Sequence, residues 1–184
     1  MKKSLVILSI LLAGSTHLMA AKVGEQGVGI ELGTLKSDAT ATVNGVSGEG
    51  DLDTSFQVIK FGKCYEFGRL GASVGMMNKD RGTDGYFVGG AYDYMFYNDS
   101  QFVPFVGASI GYSWNKANYD IEHDGFIYGV EAGLVYEASK EIDLEIGARY
   151  FKTNIEGSKT VSGAPVKLDV DSTTHYYLSV SYKF

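Results

Sequence analysis

Phe126–Tyr136 reads FIYGVEAGLVY. One set of alternate residues is Phe126, Tyr128, Val130, Ala132, Leu134 and Tyr136; the other is Ile127, Gly129, Glu131, Gly133 and Val135. A repeat of two marks an extended strand, because successive side chains point to opposite faces. The first set is apolar throughout, with aromatic rings at its ends and aliphatic residues between. The second carries the glycines and a carboxylate.

The same pattern recurs on both sides. Ile142, Leu144, Ile146, Ala148 and Tyr150 alternate with Asp143, Glu145, Gly147 and Arg149. Tyr176, Leu178, Val180, Tyr182 and Phe184 alternate with Tyr177, Ser179, Ser181 and Lys183. Val106, Ala108, Ile110, Tyr112 and Trp114 oppose Gly107, Ser109, Gly111 and Ser113, and Leu70, Ala72, Val74 and Met76 oppose Arg69, Gly71, Ser73 and Gly75. LGASVGM at Leu70–Met76 returns as VGASIGY at Val106–Tyr112, a faint internal repeat. Asp53–Phe61 alternates least clearly, because Lys60 interrupts it. The reading predicts about eight strands, at 26–35, 52–61, 66–77, 85–96, 102–114, 125–137, 140–151 and 173–184. Most are longer than the ~5–6 residues usual in soluble sheets. They match the ~9–11 residues that cross a bilayer at a tilt.

The polar set decides which face points where. Glu31, Arg69, Asp93, Glu131, Glu145 and Arg149 fall on it, as do Asp143 and Lys183. Burying such charges unpaired in an apolar core costs several kcal/mol each. Inside a narrow barrel they can pair, leaving the apolar set to face lipid and its aromatic ends to form girdles at the two interfaces. The predicted fold is therefore all-β, an antiparallel up-and-down transmembrane barrel. Its connections alternate between short turns and long loops at Lys36–Asp51, Asn78–Asp84, Asn115–Asp124 and Lys152–Ser172.

The N-terminus reads as an address. Lys2 and Lys3 precede the apolar run Leu5–Leu12, and Ala20 and Ala21 follow. This is the form of a secretory signal peptide cut near Ala20, so 1–20 is expected to be removed and 21–184 to be the barrel domain. The formal net charge of −6 disfavours nucleic acid as a partner. Cys64 is the only cysteine, so no intramolecular disulfide forms.

With the C-terminal pattern Tyr176-x-Leu178-x-Val180-x-Tyr182-x-Phe184 in view, the whole mature chain resembles the small outer-membrane β-barrel proteins of the OmpA transmembrane-domain and OmpX/Ail type. The resemblance implies a monomer in the outer membrane of a Gram-negative bacterium, among outer-membrane lipid and lipopolysaccharide. It also implies that the final strand, from Tyr176 to Phe184, is the signal that the outer-membrane assembly machinery reads. No cofactor is expected.

Chemistry is sparse. Gly27-Val28-Gly29 lacks the helix of a phosphate loop. His123 stands in Glu122-His123-Asp124 on an expected solvated loop, and no metal site is assigned there. Lipid A deacylases of similar architecture use a His-x-Ser pair, whereas His175 is followed by Tyr176 and Tyr177. A pair across strands, such as Ser113 with His175, is the remaining route to catalysis, and the reading is of a non-enzyme. The expected role is structural or in surface contact through the external loops, including adhesion to host or other cells. The alternatives are a narrow channel, a lipid A-modifying enzyme and a soluble lipocalin-like carrier.

Deleting Phe184 should lower the amount of folded, heat-modifiable protein in the outer membrane far more than it weakens refolding in detergent. One buried ring contributes only ~1.5–3 kcal/mol, whereas a lost assembly signal acts on every molecule. Fractionation of expressing cells reads this, and normal outer-membrane levels would remove the signal role from the last strand.

Overall fold

The computed structural model describes residues 23–80, 83–117, 121–161 and 163–184. The expected signal peptide, 1–20, lies outside the described residues. Eight strands follow one another among them: β1 (Gln26–Val43), β2 (Val46–Tyr65), β3 (Gly68–Asp80), β4 (Thr83–Met95), β5 (Phe102–Ala117), β6 (Ile121–Glu137), β7 (Ile142–Val161) and β8 (Ala164–Lys183). Each pairs antiparallel with the next, and β1 pairs with β8, closing the barrel. Closure matters because an open sheet edge in hydrocarbon would leave each backbone N–H and C=O unsatisfied at several kcal/mol.

The faces divide as the alternation requires. Ile30, Ile59, Val74, Ile110, Val130, Ile146 and Leu178 are exposed on the outside. Rings flank this aliphatic band. At one end Phe102 stacks on Tyr136 with centroids 4.9 Å apart, near Tyr94–Phe96 and Tyr182–Phe184. At the other end Tyr112 packs against Trp114 and Phe126, at 4.8 and 5.0 Å. A water-soluble protein would not display such a belt; a membrane barrel requires it.

The long connections are where structure and sequence reading part. Lys36–Asp51 is not a loop: it is the outer arm of β1 and β2, paired up to Val43↔Val46. The turn is Asn44-Gly45, both with positive φ (51° and 80°). That is the two-residue hairpin turn Asn-Gly favours, because both residues tolerate the left-handed region. Lys152–Ser172 likewise belongs to β7 and β8, paired to Val161↔Ala164, with Gly163 at φ 84°. Most of Asn78–Asp84 and Asn115–Asp124 also extends the adjoining strands. Ser, Thr and Gly had suggested loops; above the membrane those residues still pair their backbones.

One irregularity explains why the pattern seemed to stop at Thr173. On β8, Ser172 and Val170 face the consecutive residues Asp38 and Ala39 of β1, skipping Asp171, whereas against β7 they face Lys152 and Ile155, where the extra residue is on β7. A bulge of one residue moves the inward set to the other parity. Val170 is buried before it in sequence and Thr173, His175 and Tyr177 after it, with Ser172 buried at the change of parity.

Candidate functional site

The inward side chains meet in one layer across the barrel. From β7, Arg149 donates through Nη1 and Nη2 to Glu31 of β1, the Nη2–Oε2 distance being 2.9 Å, and through Nε to Glu131 Oε2 of β6 at 2.7 Å. From β3, Arg69 donates twice to Asp93 Oδ2 of β4, at 2.7 and 3.0 Å, and once to Glu145 Oε2 of β7 at 2.8 Å. Lys60 of β2 reaches Glu145 Oε1 at 2.9 Å and lies 3.8 Å from Glu31. Tyr177 of β8 donates its hydroxyl to Glu145 Oε1 at 3.0 Å, and its ring lies 4.0 Å under the Arg149 guanidinium. Gly147 makes room for that ring, since a Cβ there would stand 2.5 Å from the Tyr177 hydroxyl.

All six charges expected in the lumen are thus in this one layer. Glu31 is fully buried, and Asp93, Glu131 and Glu145 are buried too. Lys60 was not among them, although it ends the inward set Phe56, Val58, Lys60; reading it as an interruption of the apolar phase hid its role. At the turn-side end Lys183 forms a smaller cluster with Asp143 at 2.8 Å and Glu137 at 4.0 Å.

Apolar side chains fill the lumen on either side of the layer, which the glycine-rich pattern did not suggest. Met95, Val103, Phe105 and Val135 are buried there, and so are Leu35, Phe56, Phe87, Ile127 and Phe151. Among the described residues the lumen holds a cavity of about 110 Å³ and another of about 70 Å³, both lined by Phe87, Ile127 and His175. Spaces of this size hold a few waters.

One histidine does not sit as expected. His123 is not on a solvated loop; it is buried on the inward face of β6, with Asn115 Nδ2 donating to its carbonyl at 3.2 Å. The hairpin arm that replaces the expected loop carries it inside. His175 lies among the rings of Phe56, Phe151 and Phe87, at 4.9, 5.0 and 6.5 Å. The Ser113 hydroxyl donates to Asn115 Oδ1 at 3.0 Å. An imidazole packed by three rings and a serine bonded elsewhere are not arranged as base and nucleophile.

The C-terminal residues Tyr176, Leu178, Val180, Tyr182 and Phe184 all point outward and are exposed. Beyond the membrane, Lys167 joins Asp169 at 2.8 Å and Glu156 at 3.5 Å. The hydrogen bond to Asp169 raises the Lys167 pKa above its ordinary value.

Residues 72–182 match a protein family described as surface antigen. Among solved structures, the chain is similar to the outer membrane protein OprG from Pseudomonas aeruginosa, with 14% identity over 91% of this chain and 99% of that one and a TM-score of 0.66. It is also similar to Neisserial surface protein A, with 18% identity over 84% and 97% and a TM-score of 0.61. A third is outer membrane protein H from P. aeruginosa, with 24% identity over 84% and 99% and a TM-score of 0.53. At these identities the likeness speaks for the fold. A search of curated proteins finds no match.

Arg149→Met keeps most of the side-chain volume but strands Glu31 and Glu131. Breaking a buried pair in this way should cost about 3–5 kcal/mol, read as a lower urea midpoint for the barrel refolded in micelles. An unchanged midpoint would mean that the layer is not a structural tie.

Proposed function

This chain belongs to the surface antigen family, and we propose that it is a display scaffold: a monomeric, sealed outer-membrane barrel that presents a wall of paired hairpins to molecules outside the cell. The height of that wall carries the reading. Crossing the bilayer takes ~9–11 residues. β3 and β4 have 13 residues each, whereas β1 has 18 and β2, β7 and β8 have 20. The four long strands are neighbours in the order β7–β8–β1–β2, and β1 pairs with β8 as far as Val43↔Val166. The two hairpins therefore rise together as one sheet on one side of the barrel.

The upper part of β2 supplies a binding edge. Pairing with β3 begins at Phe56↔Met77, and Thr54 and Ser55 are still tied to Asn78 of β3 by side-chain hydrogen bonds, so among the described residues Val46–Asp53 has β1 on one side and no ladder on the other. A free strand edge offers backbone donors and acceptors to an extended partner segment. Glu49 and Asp51 lie exposed along it, favouring a cationic partner. The membrane-embedded part contributes rigidity, and its lumen, crossed by the ion-pair layer and filled by apolar side chains, is a plug rather than a pathway. In this reading the segment 1–20 directs export, the last strand engages the assembly machinery, and no catalysis is assigned.

The test trims the wall without touching the barrel. Asp38 pairs with Asp51 and Glu156 with Asp169, so replacing 39–50 and 157–168 each by Asn-Gly keeps both registers. Trimmed protein should still run as a folded, heat-modifiable band in the outer-membrane fraction. Adherence of expressing cells to surfaces coated with basic extracellular proteins should fall to that of cells lacking the protein. Undiminished adherence would place contact elsewhere, and loss of the folded band would make the hairpins part of the barrel's own stability.

A further inference from the structure

The ion-pair layer is not electrically closed. It holds four carboxylates, Glu31, Asp93, Glu131 and Glu145, against three cations, Lys60, Arg69 and Arg149. One negative charge is left over in a place where an uncompensated charge is costly. The surplus can be located. Asp93 gives only Oδ2 to Arg69, and Glu131 gives only Oε2 to Arg149. The other oxygen of each, Asp93 Oδ1 and Glu131 Oε1, is buried without a hydrogen-bond partner among the described residues, and so is Ser109 Oγ. Both acids are at least nine-tenths buried, at 4% and 5% exposure.

The residues that carry these three oxygens are neighbours on the inner wall. Asp93, Gly107 and Glu131 are directly paired across β4, β5 and β6, and Ser109 is the next inward residue on β5. A Cβ on Gly107 would stand 2.3 Å from Asp93 Oδ1 and 3.0 Å from Glu131 Cγ. Glycine at this position is what lets the two carboxylates converge. Asp93, Glu131 and Ser109 all line the larger cavity, whose turn-side mouth is flanked by Glu25, Glu137 and Asp143 against Lys183. An acidic mouth draws cations toward the interior.

We infer that Asp93, Glu131 and Ser109 form a binding site for a monovalent metal cation of the sodium class inside the lumen, reached from the acidic mouth. Two carboxylate oxygens and a hydroxyl are hard oxygen ligands, cavity waters can complete the shell, and a single positive charge neutralises the layer. A divalent ion would leave it positive by one. The inference concerns the lumen and stands apart from the role of the outer hairpins.

The probe is the ion itself, on the full mature barrel refolded in detergent. Melting is compared in sodium chloride and in N-methylglucamine chloride at equal ionic strength, and in Glu131→Gln and Ser109→Ala beside the unaltered chain. Sodium should raise the unaltered melting point by about 3 °C. Ser109→Ala should need more sodium for the same rise. Glu131→Gln, whose layer is already neutral, should melt no lower than the unaltered chain in N-methylglucamine and gain nothing from sodium. Thallium(I) soaked into crystals should give an anomalous peak between the three oxygens. Equal melting in both salts, a rise that survives in Glu131→Gln, stabilisation by calcium but not sodium, or thallium bound only elsewhere would each overturn the site. Equal melting in the two salts at every pH, with stabilisation by acid alone, would give the surplus charge to a proton and overturn it too.

Discussion

Arg149 spans the lumen from β7, holding Glu31 of β1 with one edge of its guanidinium and Glu131 of β6 with another, while its face rests on the Tyr177 ring of β8. Arg69 and Lys60 extend the layer to β2, β3 and β4 and return it to Glu145 of β7. Even β5 takes part, through Phe105 5.4 Å beneath the Arg69 guanidinium and through the space left at Gly107. A barrel with its apolar groups turned toward lipid gains no hydrophobic stabilisation from that face, so the charges on its inner face are held by directional contacts between the apolar clusters. Charge-assisted, multiply bonded guanidinium pairs supply them. The outer face is then left to solve a different problem, matching hydrocarbon in its middle and interface at its rims.

The fold was legible where lipid and lumen impose opposite demands on neighbouring residues. Phe126–Tyr136 alternates so sharply because both faces are constrained, and the same holds for Ile142–Tyr150 and Tyr176–Phe184. The six lumen charges followed from parity alone. Legibility failed where one of those constraints lapses. Beyond the membrane neither face meets lipid, so Lys36–Asp51 and Lys152–Ser172 resemble loops in composition although their backbones pair fully. Asn44-Gly45 was the available signal, since Asn-Gly between strand-forming residues marks a tight hairpin.

Three further misreadings have local causes. Lys60 seemed to break an apolar strand because Phe56 and Val58, on its own inward face, are apolar; in β2 the lumen phase is partly greasy. The bulge at Asp171 reverses parity within β8, so alternation counted back from Phe184 loses phase at Thr173. His123 was lost with the hairpin arm that carries it. None of these could be recovered from periodicity alone, because each depends on which partner strand lies alongside.

The division of labour that results is simple: a tied, filled interior fixes the cylinder, and the four longest strands carry their pairing past the membrane on one side. The central claim is that the interior is a plug. Single-channel recording of the purified barrel in planar lipid bilayers tests it most directly. Insertion without steady current is expected, because among the described residues the charge layer and the rings around His175 leave small cavities rather than a continuous bore. Steady conductance of porin size would contradict it.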